Sequence, residues 1–238
     1  MGSDQIQMRR SKFKAYYKLN LGLISPMAYV LSLILGVGSC LLPGERDFGL
    51  TIIIIWAVCM KDIMKVCSAT LYQKEAYFYQ SFPVTPFQTV LAKTLVCAQL
   101  MSIGPWVFAV TKVITTGTLF DPEKSGFAGG FPAMPSGVVG LMWLAALAAF
   151  SMTAAGVVLM GLHLGNGFRN HRKGRPGSAA TVIFMGVMFA ALLSVLPQMF
   201  FKVPDNMPIV ALGTAALMLM SILLLWLNAR ALRKYYSV

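Results

Sequence analysis

Six stretches of this chain stay apolar for about the thickness of a lipid bilayer: Ile24 to Leu42, Leu50 to Cys67, Phe87 to Ile114, Ser136 to Leu164, Ala179 to Phe201 and Pro208 to Leu227. A hydrocarbon core about 30 Å thick is crossed by about 20 predominantly apolar residues in a helix. Only 12% of the 238 residues are charged, against about 25% in soluble domains. The expected fold is all-α: a polytopic membrane protein with six transmembrane helices in one transmembrane domain, 1–238. The polar connections around 115–135 and 165–177 are loop-sized and rich in Gly and Pro, which leaves no room for a second, soluble domain.

A formal charge of +12 would point a soluble protein toward nucleic acid, but placing the spans sorts the charges by side. Arg9, Arg10, Lys12, Lys14 and Lys18 precede span one; Lys61, Lys65, Lys74 and Lys93 surround the connection between spans two and three. Arg169, Arg172, Lys173 and Arg175 lie between spans four and five, and Arg230, Arg233 and Lys234 follow span six. The other side has only Arg46, Lys112, Lys124 and Lys202, beside the acids Glu45, Asp47, Asp121, Glu123 and Asp205. The positive-inside rule then puts both termini in the cytoplasm, for a multi-pass protein of a bacterial-type plasma membrane. Cations near anionic headgroups account for the charge without a nucleic-acid partner.

Cys40, Cys59, Cys67 and Cys97 show no CxxC spacing, so they read as packing residues rather than a disulfide framework or metal site. MGSDQI lacks the Ser or Thr at position six of a myristoylation signal. VGSC at 37–40 only loosely resembles a lipoprotein cleavage site, and five spans follow it.

Ahead of span one, Arg10, Lys14 and Lys18 repeat every four residues, while Phe13, Tyr17 and Leu21 do so one face over. This pattern predicts an amphipathic interfacial helix over 7–18, with Tyr16 and Tyr17 as headgroup anchors and Gly22 and Pro26 turning the chain into span one. The plainer alternative is a basic tail that only sets orientation. Span two should continue as helix to about residue 73, because KDIMKVCSATLYQKEA adds charge to helix-favouring residues. YFYQSF then makes about two turns, and FPVTPFQ stops them, since a residue before Pro is pushed out of the α region. Thr85 and Pro86 suit the N-cap and first position of the next helix. Ala145, Ala149 and Thr153 on span four, and Ser32 and Gly36 on span one, form small-residue ridges for close helix approach. VLPQMFFKVPDNMP between spans five and six reads either as a re-entrant hairpin or as a short loop.

Little chemistry lies inside the spans. Gln99, Ser102, Ser151, Thr153, Ser194 and Gln198 are the deeper polar residues; Asp62 and His163 sit near cytoplasmic ends and Lys112 near the outer end. Proton relays and secondary carriers need buried ionisable groups, and no acid, base or metal cluster emerges. No catalytic residue is therefore assigned, and the chain by itself is not expected to be an enzyme. GNGFRNHRKGRPG at 165–177 lacks the Lys-Ser/Thr ending of a P-loop. Tyr77, Phe78, Tyr79 and Phe82 are large apolar surfaces outside the hydrocarbon, with Lys74 and Glu75 beside them as a charged rim. Such density marks a protein contact, or else a headgroup belt.

Six spans with cytoplasmic termini, a basic lead-in, a protruding second span and the run KEAYFYQSFPVTPFQTVLAKTL together resemble the permease subunits of ABC-2-type (type V) ATP-driven exporters, over nearly the whole chain. The most specific part runs from Glu75 to Lys93. Small single-domain permeases that export amphipathic peptides such as phenol-soluble modulins are the most similar group. The resemblance implies a homodimer of permease chains served by two copies of a separate P-loop ATP-binding subunit, which holds the ATP and Mg; this chain would bind no cofactor. It implies a coupling helix over 74–82, with Lys74, Glu75, Tyr77, Phe78, Tyr79, Phe82 and Pro83 at the ATPase contact. It also implies a second contact through the N-terminal helix, here Arg10, Phe13, Lys14, Tyr17 and Lys18. A pathway for a hydrophobic or amphipathic substrate would lie at the dimer interface, lined from spans one, two and five, with Trp56, Met60, Met185, Met188, Phe189 and Gln198 as its candidates. The outer region between spans five and six is short for this family, so any gate made from it must be small. The competing expectations are a non-transporting scaffold, sensor or immunity subunit, and a channel or secondary carrier.

Overall fold

The computed structural model describes residues 3–38, 46–72, 83–116, 136–171 and 207–236. Within them the chain forms six helices and no strand: α1 (Ser3–Leu21), α2 (Pro26–Gly38), α3 (Arg46–Tyr72), α4 (Pro86–Thr116), α5 (Ser136–His171) and α6 (Met207–Tyr236). Three contain a segment long and apolar enough to cross a membrane, Pro86–Thr111 in α4, Leu144–His163 in α5 and Ala211–Arg233 in α6. A fourth is added if the end of α1 and α2, bent by 73° at their junction, count as one broken span. The fold is thus all-helical and membrane-protein-like. The expected span over 179–201 lies outside the described residues.

α4 is the hub, touching every other helix. It starts where the sequence stops the preceding turn. Gln88 N donates to the Thr85 hydroxyl at 3.3 Å and Thr85 N donates to Gln88 Oε1 at 3.0 Å, a reciprocal capping box that satisfies two donors at the helix start. Pro86 occupies the first helical position, where a missing N–H leaves nothing unpaired.

Farther along α4, Pro105 interrupts the ladder, since it has no N–H to give the carbonyl four residues back. That carbonyl belongs to Met101, and the indole N–H of Trp56 on α3 donates to it at 3.1 Å. The Trp56 ring also stacks on Phe150 of α5, centroids 4.9 Å apart and planes 17° from parallel. One side chain therefore repairs α4 and joins three helices.

α2 crosses α4 where both carry glycine. A Cβ on Gly36 would lie 2.6 Å from the Gly104 carbonyl oxygen and 3.1 Å from Val107 Cβ, and one on Gly104 would lie 2.6 Å from Ile55 Cδ1. No larger residue fits without separating the backbones. Ser32, one turn before Gly36, is buried with its hydroxyl 3.3 Å from Cys59 Sγ.

The ridge on α5 seats α6. Ala149 and Thr153 are buried; the Thr153 hydroxyl lies 2.8 Å from the Ala149 carbonyl and 3.0 Å from that of Leu217. A turn farther on, Asn228 Nδ2 donates to the Gly156 carbonyl at 3.0 Å and to the Leu224 carbonyl at 2.8 Å. The outward face of α6 is apolar, with Leu212, Leu219, Ile222 and Trp226 exposed. The Arg230 guanidinium lies 5.4 Å from the centroid of the Trp226 ring, a cation-π pair suited to the edge of a hydrocarbon layer.

α1 departs from a helix held only by headgroups. Tyr16, expected as a headgroup anchor, is 1% exposed and packs on Ala92 of α4, with Phe13, Tyr17, Leu19, Leu23 and Val84 around the pair. The face that periodicity assigned to lipid is partly docked on protein. At the corner after it, Asp62 of α3 is buried and its Oδ2 accepts from Ser25 N at 3.3 Å. The carboxylate sits at the start of α2, where unpaired N–H groups and the helix dipole favour negative charge.

Candidate functional site

The run from Lys74 to Phe82, with Lys74, Glu75, Tyr77, Phe78, Tyr79 and Phe82, lies outside the described residues; Pro83, just after it, is exposed. What is described is its frame. α3 ends at Tyr72 and α4 begins at Pro86. Inside that frame Lys93, which the sequence placed at a helix end, is 0% exposed, and its Nζ donates to the Val66 carbonyl of α3 at 3.0 Å. A buried cation must keep hydrogen bonds to be tolerated. Cys67 and Cys97 face each other beside it with sulfurs 3.7 Å apart, both buried and free. His163 of α5 is buried within electrostatic reach of Lys93. A lysine, two thiols and a carbonyl therefore join α3 to α4. Among the described residues, no group of three or more His, Cys, Asp or Glu could hold a metal ion.

The second feature is an apolar cleft of about 710 Å³ bounded by α1, α2, α4 and α5. Phe13 and Tyr17 enter it from α1, Tyr29 and Leu33 from α2, and Ala148 and Met152 from α5; α4 supplies the floor from Leu95 to Val107. Its polar atoms are few. The Tyr17 hydroxyl donates to Gln99 Oε1, and burial pushes the Tyr17 phenol up, so it keeps that proton. The Ser102 hydroxyl sits between the Ala98 carbonyl at 2.7 Å and the Ser151 hydroxyl at 3.0 Å. The Tyr29 hydroxyl is buried without a hydrogen-bond partner among the described residues.

The interfacial residues divide across this cleft. Phe13 and Tyr17 are half-buried and line it, while Lys14 and Lys18 are exposed; Arg10 belongs to α1. Of the residues expected along a substrate pathway, Trp56 is 2% exposed and engaged with Met101 and Phe150, and Met60 is half-buried. Met185, Met188, Phe189 and Gln198 lie outside the described residues. The structure thus brings together one set of residues that sequence reading had kept apart (Cys67, Lys93, Cys97) and another that it had not singled out as a site (Tyr29, Gln99, Trp106). The only hint in the sequence was polar residues one or two helical turns inside apolar runs.

No family model, curated protein or solved structure matches the chain.

Proposed function

We propose that this chain is the permease subunit of an ATP-driven exporter of the ABC-2 type, acting as a homodimer with two copies of a separate ATP-binding subunit. Its six spans would lie in the plasma membrane with both termini in the cytoplasm, and its cargo would be hydrophobic or amphipathic, membrane-active peptides being the leading class. The observation that carries this reading is the frame around residues 73–82. A long helix ends at Tyr72, a capped helix starts at Thr85–Pro86, and the Lys93–Val66 hydrogen bond joins the two. A force applied to the connecting segment is then delivered to α3 and α4 together. That is the requirement for an element that converts closure of an ATPase dimer into tilting of membrane helices.

In this scheme Tyr77, Phe78, Tyr79 and Phe82 fill a groove of the ATPase, and Lys74 and Glu75 orient the contact. Aromatic anchors dominate such interfaces, each worth about 2 kcal/mol or more when central. The N-terminal helix adds a second contact through Arg10. The test is purification with the candidate ATPase, followed by peptide-stimulated ATP hydrolysis and peptide uptake in sealed inverted vesicles. Changing Tyr77, Phe78 and Phe82 to Ala is expected to abolish complex formation. An intact complex in that variant sinks the coupling assignment. A complex that neither responds to peptides nor accumulates them leaves the permease reading standing and removes the peptide cargo. Failure of any ATPase to bind favours a non-transporting scaffold.

A further inference from the structure

The cleft between α1, α2, α4 and α5 has the anatomy of a site for a lipid rather than of a packing defect. Its floor on α4, from Leu95 to Val107, is about 18 Å long at the helical rise per residue, a length suited to one extended acyl chain. Walls of Leu33, Ile103, Val107 and Met152 offer such a chain nothing polar toward the far end, where Trp106 stands 42% exposed. The polar atoms without a settled role gather toward the other end. Gln99 has its carbonyl oxygen engaged by Tyr17 and its amide donors left to offer. Beside this end, Lys14 and Lys18 stand exposed on α1, each next in sequence to a residue lining the cleft.

We infer that the cleft holds one acyl chain of an anionic phospholipid, its ester region at the Gln99 amide and its phosphate at Lys14 and Lys18. The occupant follows from the charge: a zwitterionic headgroup would gain little from two lysines, whereas an anionic one is attracted by both. Because α1 forms one wall, the bound chain fixes α1 against α4 along the contact that Tyr16 and Ala92 begin. This inference needs the helices to lie in a bilayer but does not need the export reading, so the two can fail separately.

Trp106 supplies the readout. The full chain in non-ionic detergent micelles is titrated with phosphatidylglycerol brominated on its acyl chains, and tryptophan fluorescence is followed. A saturable quenching component is expected, lost in Trp106→Phe. Ala148→Phe, which fills the cleft, should weaken it by about tenfold or more. Should that variant not fold, the exposed pair Lys14→Gln/Lys18→Gln keeps the test: it should erase an about tenfold preference for phosphatidylglycerol over phosphatidylcholine. The inference is overturned if quenching rises with lipid fraction without saturating, or is equal for the two headgroups. It is equally overturned if a brominated free fatty acid or an amphipathic peptide saturates the site while phosphatidylglycerol does not.

Discussion

At the scale of single residues, Trp56 and Pro105 answer one another. In a low-dielectric interior a carbonyl without a donor is expensive, and the indole N–H supplies the donor that the proline withholds. Trp56→Phe keeps most of the stack on Phe150 but leaves the Met101 carbonyl open, so it should cost about 1–3 kcal/mol. In a Pro105→Ala background α4 makes its own hydrogen bond there, and the cost of Trp56→Phe should shrink by about 1 kcal/mol. Reversible unfolding in mixed micelles measures both; equal costs in the two backgrounds would show that the indole bond does not compensate for the proline. Gly36→Ala should destabilise by about 1–3 kcal/mol, because the atom its Cβ meets is backbone and cannot rotate away. An unchanged midpoint for that variant would mean that the α2–α4 crossing is looser than 2.6 Å implies. The sequence displayed Pro105 and Gly36 plainly. It could not display their partners, since the donor for Met101 comes from 45 residues away.

Among helices, the α3–α4 tie makes the sharpest prediction. Sulfurs 3.7 Å apart in a buried pocket need to close only to the roughly 2.05 Å of a disulfide. Diamide, which is membrane-permeant and takes up the two thiol hydrogens as it is reduced, should form the Cys67–Cys97 disulfide in the folded chain. Peptide mapping should find that bridge, and Cys97→Ser should lack it. If Cys67 instead pairs elsewhere or stays free, the helices do not pack in this register. Within the exporter reading, in which α3 and α4 move together, the bridge should leave peptide-stimulated ATP hydrolysis intact. The helix starts and turns were the legible part: Thr85 and Pro86 announce α4, and the Gly22–Pro26 stretch announces the corner before α2. Burial of Tyr16 and Lys93 was not legible. Periodicity shows that a helix has two faces but not whether lipid or protein covers the apolar one, and the carbonyl that takes the buried Lys93 Nζ lies 27 residues away on α3.

For the molecule as a whole, the charge pattern predicts sidedness. With Cys40 changed to Ser and Cys59, Cys67 and Cys97 buried, an impermeant maleimide added outside intact cells should label Lys124→Cys but neither Lys18→Cys nor Arg230→Cys. Labelling of the latter two from outside would reverse the orientation and remove the basis for a cytoplasmic docking segment. α5 and α6, held by Thr153, Gly156 and Asn228, form a pair with little freedom to slide. At the other end α1, 19 residues and so about 28 Å long, meets α2 at 73°. Asp62 grips the chain at that corner. Mechanically this is a braced elbow: one arm rests on α4 through Tyr16 and Ala92, the other through the Gly36–Gly104 crossing, and α3 pins the joint between them, so a load on any one of these helices is shared by all four.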